Sequence, residues 1–364
     1  MAAVLVAAAV SGCATEDKRP RQTREPVCFP NARAVPRVVV YGGIGDLLPS
    51  WNDTPPLERF LYGPTPDQSA AGSLRNPQGL AWLGERLLVC DQGWPDVTAI
   101  DPATGRSRSF CGVHHPPRCP VDVATDGEGR VYVADTTTRA VLTYGPDGRF
   151  LDELRPATTA PESFRPCSVL VSGGVLYVGD LAGRRIERFD LSRRAWLSPF
   201  TPPAGAAALI APTGIAAGPD GTLLIADAVT AVVHRATLDG RWLAPIGRPG
   251  RERGQFVRPK QVRGTRSGLI FVVDAGRQSV IVFDRHGKCL FEVAAVEDGW
   301  NGFALPMGLA VAPATEAASL SMRLGDAGQT PPDEYVIVSD TLGGVSLVVL
   351  GVVTEAGEGR PDAQ

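Results

Sequence analysis

The chain has little histidine, no excess of one charge and no long apolar run. Of 364 residues only four are His, at 114, 115, 234 and 286, which leaves few imidazoles for a metal centre. Lys plus Arg number 36 against 39 Asp plus Glu, and charged residues make up only 21% of the chain. That balance provides no large basic field for a phosphate backbone, so no nucleic acid partner is expected. The longest apolar opening run, Met1 to Val10, is too short to span a bilayer as a helix. Cys-x-x-Cys-His is absent, which argues against covalent haem. What is abundant is punctuation: 41 Gly and 32 Pro without collagen period, alongside 44% hydrophobic residues. This composition suits a folded chain of short strands and tight turns rather than a disordered one.

The apolar start followed by Val10-Ser11-Gly12-Cys13 resembles a bacterial lipobox, although no Lys or Arg precedes it. The resemblance implies a lipoprotein-type signal peptide over 1–13, ending at a lipidated Cys13. It also implies an exported protein held to the membrane by its lipid anchor alone. Ala14 after the cysteine resembles an outer-membrane sorting signal, placing the protein at the outer membrane, in the periplasm or at the cell surface. Residues 14–36 carry Lys18, Arg19, Arg21, Arg24 and Arg33 among four prolines, with almost no apolar periodicity, and are expected to form a flexible tether. Residues 352–364 close the chain as a polar tail.

Between these ends runs an internal repeat. Prolines 77, 120, 166, 212, 259 and 306 recur at spacings of 43, 46, 46, 47 and 47, each opening an apolar segment. A second apolar stretch follows in each unit and ends on Asp91, Asp135, Asp180, Asp227, Asp274 or Asp340. The Pro-to-Asp distance is 14 or 15 residues in five units and 34 in the sixth, where 313–333 is an insertion. A third stretch, a turn such as Gly145-Pro146-Asp147-Gly148, and a fourth stretch complete each unit. Four short strands at a period in the forties predict an all-β, six-bladed β-propeller of four-stranded antiparallel blades over 37–351, with blades starting near those prolines. The sixth unit lacks a fourth strand, and Arg37-Val38-Val39-Val40-Tyr41 is expected to supply it and close the ring. Residues 42–75 would then cross to blade one.

The segments "LPMGLAV", "GRVYVADTTTRAVLTYGPDGRF" and "GLIFVVDAGRQSVIVFDRHGKC" resemble NHL repeats. The resemblance covers roughly 76–351 and implies a propeller, within a group that includes scaffolds, ligand binders and enzymes. Lyases similar in fold depend on zinc held by several histidines, and lactonase-type propellers on carboxylates around a central ion. The inner segments here, "GLAWL", "DVATD", "SVLVS", "GIAAG", "QVRGT" and "GLAVA", share no acidic set. No catalytic residue, cofactor or metal is therefore expected, and the repeated aspartates are expected to cap turn backbone.

Two places break the inner-strand pattern. Asp122 and Gln261 stand at the second residue after their prolines, and Arg263 at the fourth. Blades two and five face each other across a six-fold ring, so these three form a candidate polar site in the channel, either a plug or a small-ligand site. The loop from Cys111 to Cys119, with His114 and His115, favours a Cys111–Cys119 disulfide over zinc, with Cys119–Cys167 and Cys90–Cys119 as rival pairings. His114, His115, Phe164, Arg251, Arg253 and Phe256 belong to loops on one face and form a candidate partner surface. The expected role is a non-enzymatic exported lipoprotein with an NHL-type propeller, a protein-binding scaffold or accessory subunit of the cell envelope. The alternative is a lyase, a hydrolase or a small-ligand binder using the channel.

Overall fold

The computed structural model describes residues 27–30, 36–43, 74–102, 106–111, 115–157, 163–203, 208–295, 301–318, 320–321, 332–342 and 347–354. The signal segment with Cys13, most of the tether, the crossing segment 44–73, His114 and the tail from 355 onward lie outside them. The six repeats fold as six antiparallel sheets. Blade three shows the plan: Pro166–Ser172, Val175–Asp180, Arg185–Asp190 and Ala195–Phe200 pair in chain order, from the axis outward. The inner strands of the other blades likewise begin at Pro77, Pro120, Pro212, Pro259 and Pro306. Proline tolerates that first strand position because a missing amide costs little there.

Blade six consists of Pro306–Pro313, Glu334–Asp340 and Leu347–Val353, and Arg37–Gly43 supplies its fourth strand in antiparallel register, with Val38 opposite Val352. The expected closure is thus present. The tether reading needs one correction. Val27–Phe29 forms a fifth strand, with Val27 opposite Val40, and covers the outer edge that the closing strand would otherwise expose. The insertion 313–333 begins on the body of the protein: residues 318 and 320–321 are helical, and Ala317 and Leu320 are fully buried between blades six and one.

Alternating side chains of the middle strands fill six apolar clusters, one at each junction between neighbouring blades. The closing strand takes part on both sides, with Val38 and Val40 in the five–six junction and Tyr41 against the six–one junction. Ring closure therefore buries apolar area as well as satisfying an edge.

The repeated aspartates do what their spacing suggests. Asp135 accepts the amides of Arg118 and Cys119, where the inner strand of its own blade begins, and those of Thr137 and Thr138 in the turn that follows it. Asp274 does the same for Val257, Arg258, Gly276 and Arg277, and Asp227 for Ile210, Ala211, Val229 and Thr230. Four residues beyond Asp135, Asp180, Asp227 and Asp274, the backbone turns left-handed at Arg139, Arg184, Ala231 and Gln278, with φ of 55°, 53°, 54° and 57°. A side-chain residue adopts that region only when its surroundings over-determine it, and the carboxylate clamp does so.

Replacing Asp135 by Ala strands four buried or half-buried amides. The expected loss is about 2–4 kcal/mol in urea unfolding. Native stability in the Asp135→Ala chain would show the clamp to be dispensable.

Candidate functional site

Every inner strand carries a β-bulge just after its proline, for example between Pro120 and Asp122 and between Pro259 and Gln261. A bulge inserts a residue and re-aims the next side chain. The second residue after the proline points along the ring of inner strands, where neighbouring backbones nearly touch. Blades one, four and six have Gly there, and a Cβ on Gly79 would lie 2.2 Å from Asp122 Oδ1, one on Gly214 2.4 Å from Gln261 Oε1. Glycine in one blade makes room for the larger polar side chain of the next.

That room brings the three expected axial residues together. Asp122 Oδ2 accepts the Val169 amide of blade three at 3.0 Å and Gln261 Nε2 from the opposite blade at 3.3 Å. The Arg263 guanidinium comes to 3.9 Å of Asp122 Oδ1, and donates to the carbonyls of Val262 at 2.9 Å and Ile215 at 3.2 Å. Asp122 and Gln261 are 1% and 3% exposed, and the Arg263 side chain 17%. Asp122 Oδ1 has no hydrogen-bond partner among the described residues. Burial pushes the Asp122 carboxyl above its usual range, against the pull of Arg263, and burial likewise lowers Arg263. Around this centre, Ser168 Oγ donates to the Pro212 carbonyl at 2.8 Å and Ser339 Oγ, on the second strand of blade six, to that of Gln78 at 2.7 Å, so polar links bridge successive blades. Chemically the cluster is a buried cross-tie between opposite blades.

The expected loop face is only partly as the sequence suggested. His115 is exposed, left-handed at φ 59°, and stacked on Phe150 at 4.4 Å, while its carbonyl accepts the Tyr144 hydroxyl at 2.8 Å. Arg251 and Arg253 are exposed, and Arg253 donates to the Leu290 carbonyl. Phe164 and Phe256 are not surface residues. They are 1% and 0% exposed, folded under their loops into the two–three and four–five junctions. The disulfide is likewise corrected. Cys111 and Cys119 are both free thiols, as are Cys90 and Cys167, which removes the rival pairings as well. Cys111 is buried in the one–two junction, while Cys119 sits at the half-buried start of an inner strand, held by Asp135. His234 is 4% exposed, edge-on to Trp242 at 5.8 Å, and burial lowers its basicity. His286 lines an open groove of about 360 Å³ with Pro36, Ser267, Asp284 and Arg285, beside the closing strand and away from the axis.

Sequence reasoning overlooked Arg75, Arg118, Arg165 and Arg258. Each stands exposed one or two residues before an inner-strand proline. The signal was an arginine recurring at that place in four of six repeats.

No family model and no curated protein matches this chain. Solved structures do. A streptogramin B lyase superposes with a TM-score of 0.52 at 15% identity, covering 77% of this chain and 95% of that one. A gluconolactonase of Xanthomonas campestris gives 0.51 at 15% identity, covering 87% and 90%. A protein of unknown function from Bacteroides thetaiotaomicron gives 0.55 at 14%, covering 77% and 70%. The fold is the six-bladed β-propeller. At these identities the likeness extends to the fold alone.

Burial holds the folded Asp122 carboxyl above its unfolded value of about 3.9. The folded chain therefore binds that proton more tightly, and this contribution to stability is present at low pH and lost as pH rises through the folded value. Asp122→Asn cannot ionise, so its melting temperature should gain on that of the native chain as pH is raised from about 4 to about 7. A difference independent of pH would show that Asp122 does not titrate there. For the thiols, alkylation of the unfolded, unreduced chain should label both Cys111 and Cys119. In the folded chain Cys111, whose thiol burial pushes up to about 12, should stay unlabelled at neutral pH. A joined Cys111–Cys119 peptide pair in mass mapping would restore the disulfide.

Proposed function

We propose that this chain is a non-enzymatic, exported NHL-type propeller, anchored by lipid at Cys13, that acts as a protein-binding scaffold or accessory subunit in the cell envelope. One observation carries the reading: the axis, where a central channel site would lie, is held shut by the chain's own Asp122, Gln261 and Arg263. Asp122 Oδ2, Gln261 and Arg263 are tied to each other and to strand backbone across the place a substrate would occupy. Among the described residues no group of three or more His, Cys, Asp or Glu is placed to share a metal ion. The repeat resemblance and the six-bladed form support the NHL assignment, and the lipobox-like start supports the anchor.

A second reading rests on Asp122 Oδ1, buried without a hydrogen-bond partner. Such an atom favours a small-ligand binder with a polar centre in the channel. The lyase and gluconolactonase of similar fold place enzymes in the same architecture, and the orphaned oxygen would be where such a site begins.

The deciding experiment is mild cross-linking in source membranes, followed by isolation of the full chain and mass spectrometry. Defined envelope proteins joined to the loop face, and a diacylated Cys13, are the expected outcome. A lipidated monomer alone, with stoichiometric metal or ligand, would move the function to the channel.

A further inference from the structure

One face of the ring carries exposed arginines that no described carboxylate pairs with. Inner strands begin, and second strands end, on one face, as the pairing of the Gln92 amide with the Asn76 carbonyl shows in blade one. Among the described residues on this face, most carboxylates are engaged by backbone amides or by arginines. The six repeated aspartates are at most 2% exposed and accept backbone amides, and Asp96 accepts the Val97 amide. Glu187, Glu252 and Glu292 pair with Arg185, Arg248 and Arg277. The arginines are not spent. Arg75, Arg118, Arg165 and Arg258 stand exposed around the channel mouth, and Arg139 and Arg184 stand exposed in the adjoining turns. None of these six forms an ion pair with another described residue. The whole chain has a net charge of −3, so the cationic face arises from segregation and not from general basicity.

Apolar groups are interleaved with this charge. Trp94 is 55% exposed and lies beneath the Arg75 guanidinium, 4.2 Å from the ring centroid. Val229 and Leu342, 62% and 71% exposed, occupy the equivalent turns of blades four and six. Planar guanidinium forks match carboxylates in bidentate geometry, and exposed Trp with Arg is the composition of protein–protein contact centres. A bare polyphosphate would leave the apolar side chains unused. A lipid surface would need them to project beyond the cations, whereas Trp94 is covered by one.

We propose that this face binds an acidic protein segment, its carboxylates taken by the arginine ring at the channel mouth and its apolar side chains by the turns around Trp94, Val229 and Leu342. The proposal rests on the scaffold reading above and names the chemistry of its partner.

The test uses the full chain in detergent and fluorescein-labelled poly-L-glutamate, read by anisotropy. Native protein should bind with an affinity that falls steeply with salt. Joint replacement of Arg75, Arg118, Arg165 and Arg258 by Gln should weaken binding by roughly tenfold or more, and the four Lys replacements should keep part of it. The side chains are exposed, so melting temperatures should not change. If the quadruple variant melts lower, Arg118→Gln and Arg258→Gln are measured singly and should each weaken binding. Unchanged affinity in the Gln variants, or tighter native binding to polyphosphate or phosphatidylglycerol vesicles than to polyglutamate, overturns the proposal. Repeating the membrane cross-linking separates the two failures. Envelope partners kept by the Gln variant sink the acidic-segment inference alone, whereas no partner for the native chain sinks the scaffold reading.

Discussion

Six buried carboxylates hold this molecule together. Each ends the second strand of a blade and reaches back to the amides at the start of the inner strand, and in blades two to five a left-handed residue follows four positions on. The geometry repeats because the distance from proline to aspartate repeats. A strand pair of fixed length brings the carboxylate level with the strand entry whatever fills the loops between. Even the sixth blade, with its insertion, returns Asp340 to the amides of Ala304 and Leu305. The insertion is absorbed at the other end of the blade.

Within that frame the axis is a place of crowding. The position after each bulge faces the neighbouring inner strand, and the two long polar side chains there each follow a blade that has Gly at the same place, Gly79 before Asp122 and Gly214 before Gln261. Their meeting across the ring follows from a six-fold arrangement in which blades two and five are opposed. Burying an ion pair is costly unless its remaining lone pairs are satisfied, and Asp122 Oδ1 is not. The cluster is therefore a strained lock whose value lies in fixing opposite blades relative to one another.

Charge is arranged by the same device. The clamps consume acidic groups on one face by turning them toward backbone amides, and the arginines flanking the strand entries are left facing solvent. A chain that is nearly neutral overall thus presents a cationic rim. Overall charge is silent on such a local rim.

Much of the architecture was legible in the residues themselves. The prolines and aspartates predicted six blades, the missing strand predicted closure by Arg37 to Tyr41, and the broken positions predicted that Asp122, Gln261 and Arg263 would meet. These properties are local or periodic, and the periods of strand and repeat carry them. Other properties depended on how loops return to the body. Phe164 and Phe256 lie in polar, proline- and glycine-rich connections, yet fold beneath them because the blade junctions need aromatic volume there. Cys111 and Cys119 are near in sequence, but the strand edge draws one into a core and leaves the other at a strand entry. The arginine rim joins residues more than forty positions apart. The sequence by itself determined the strands, their repeat and the residues at the axis. Only ring closure decided which side chains are covered and which charges stand together, because burial and proximity belong to the assembled ring and not to any one repeat.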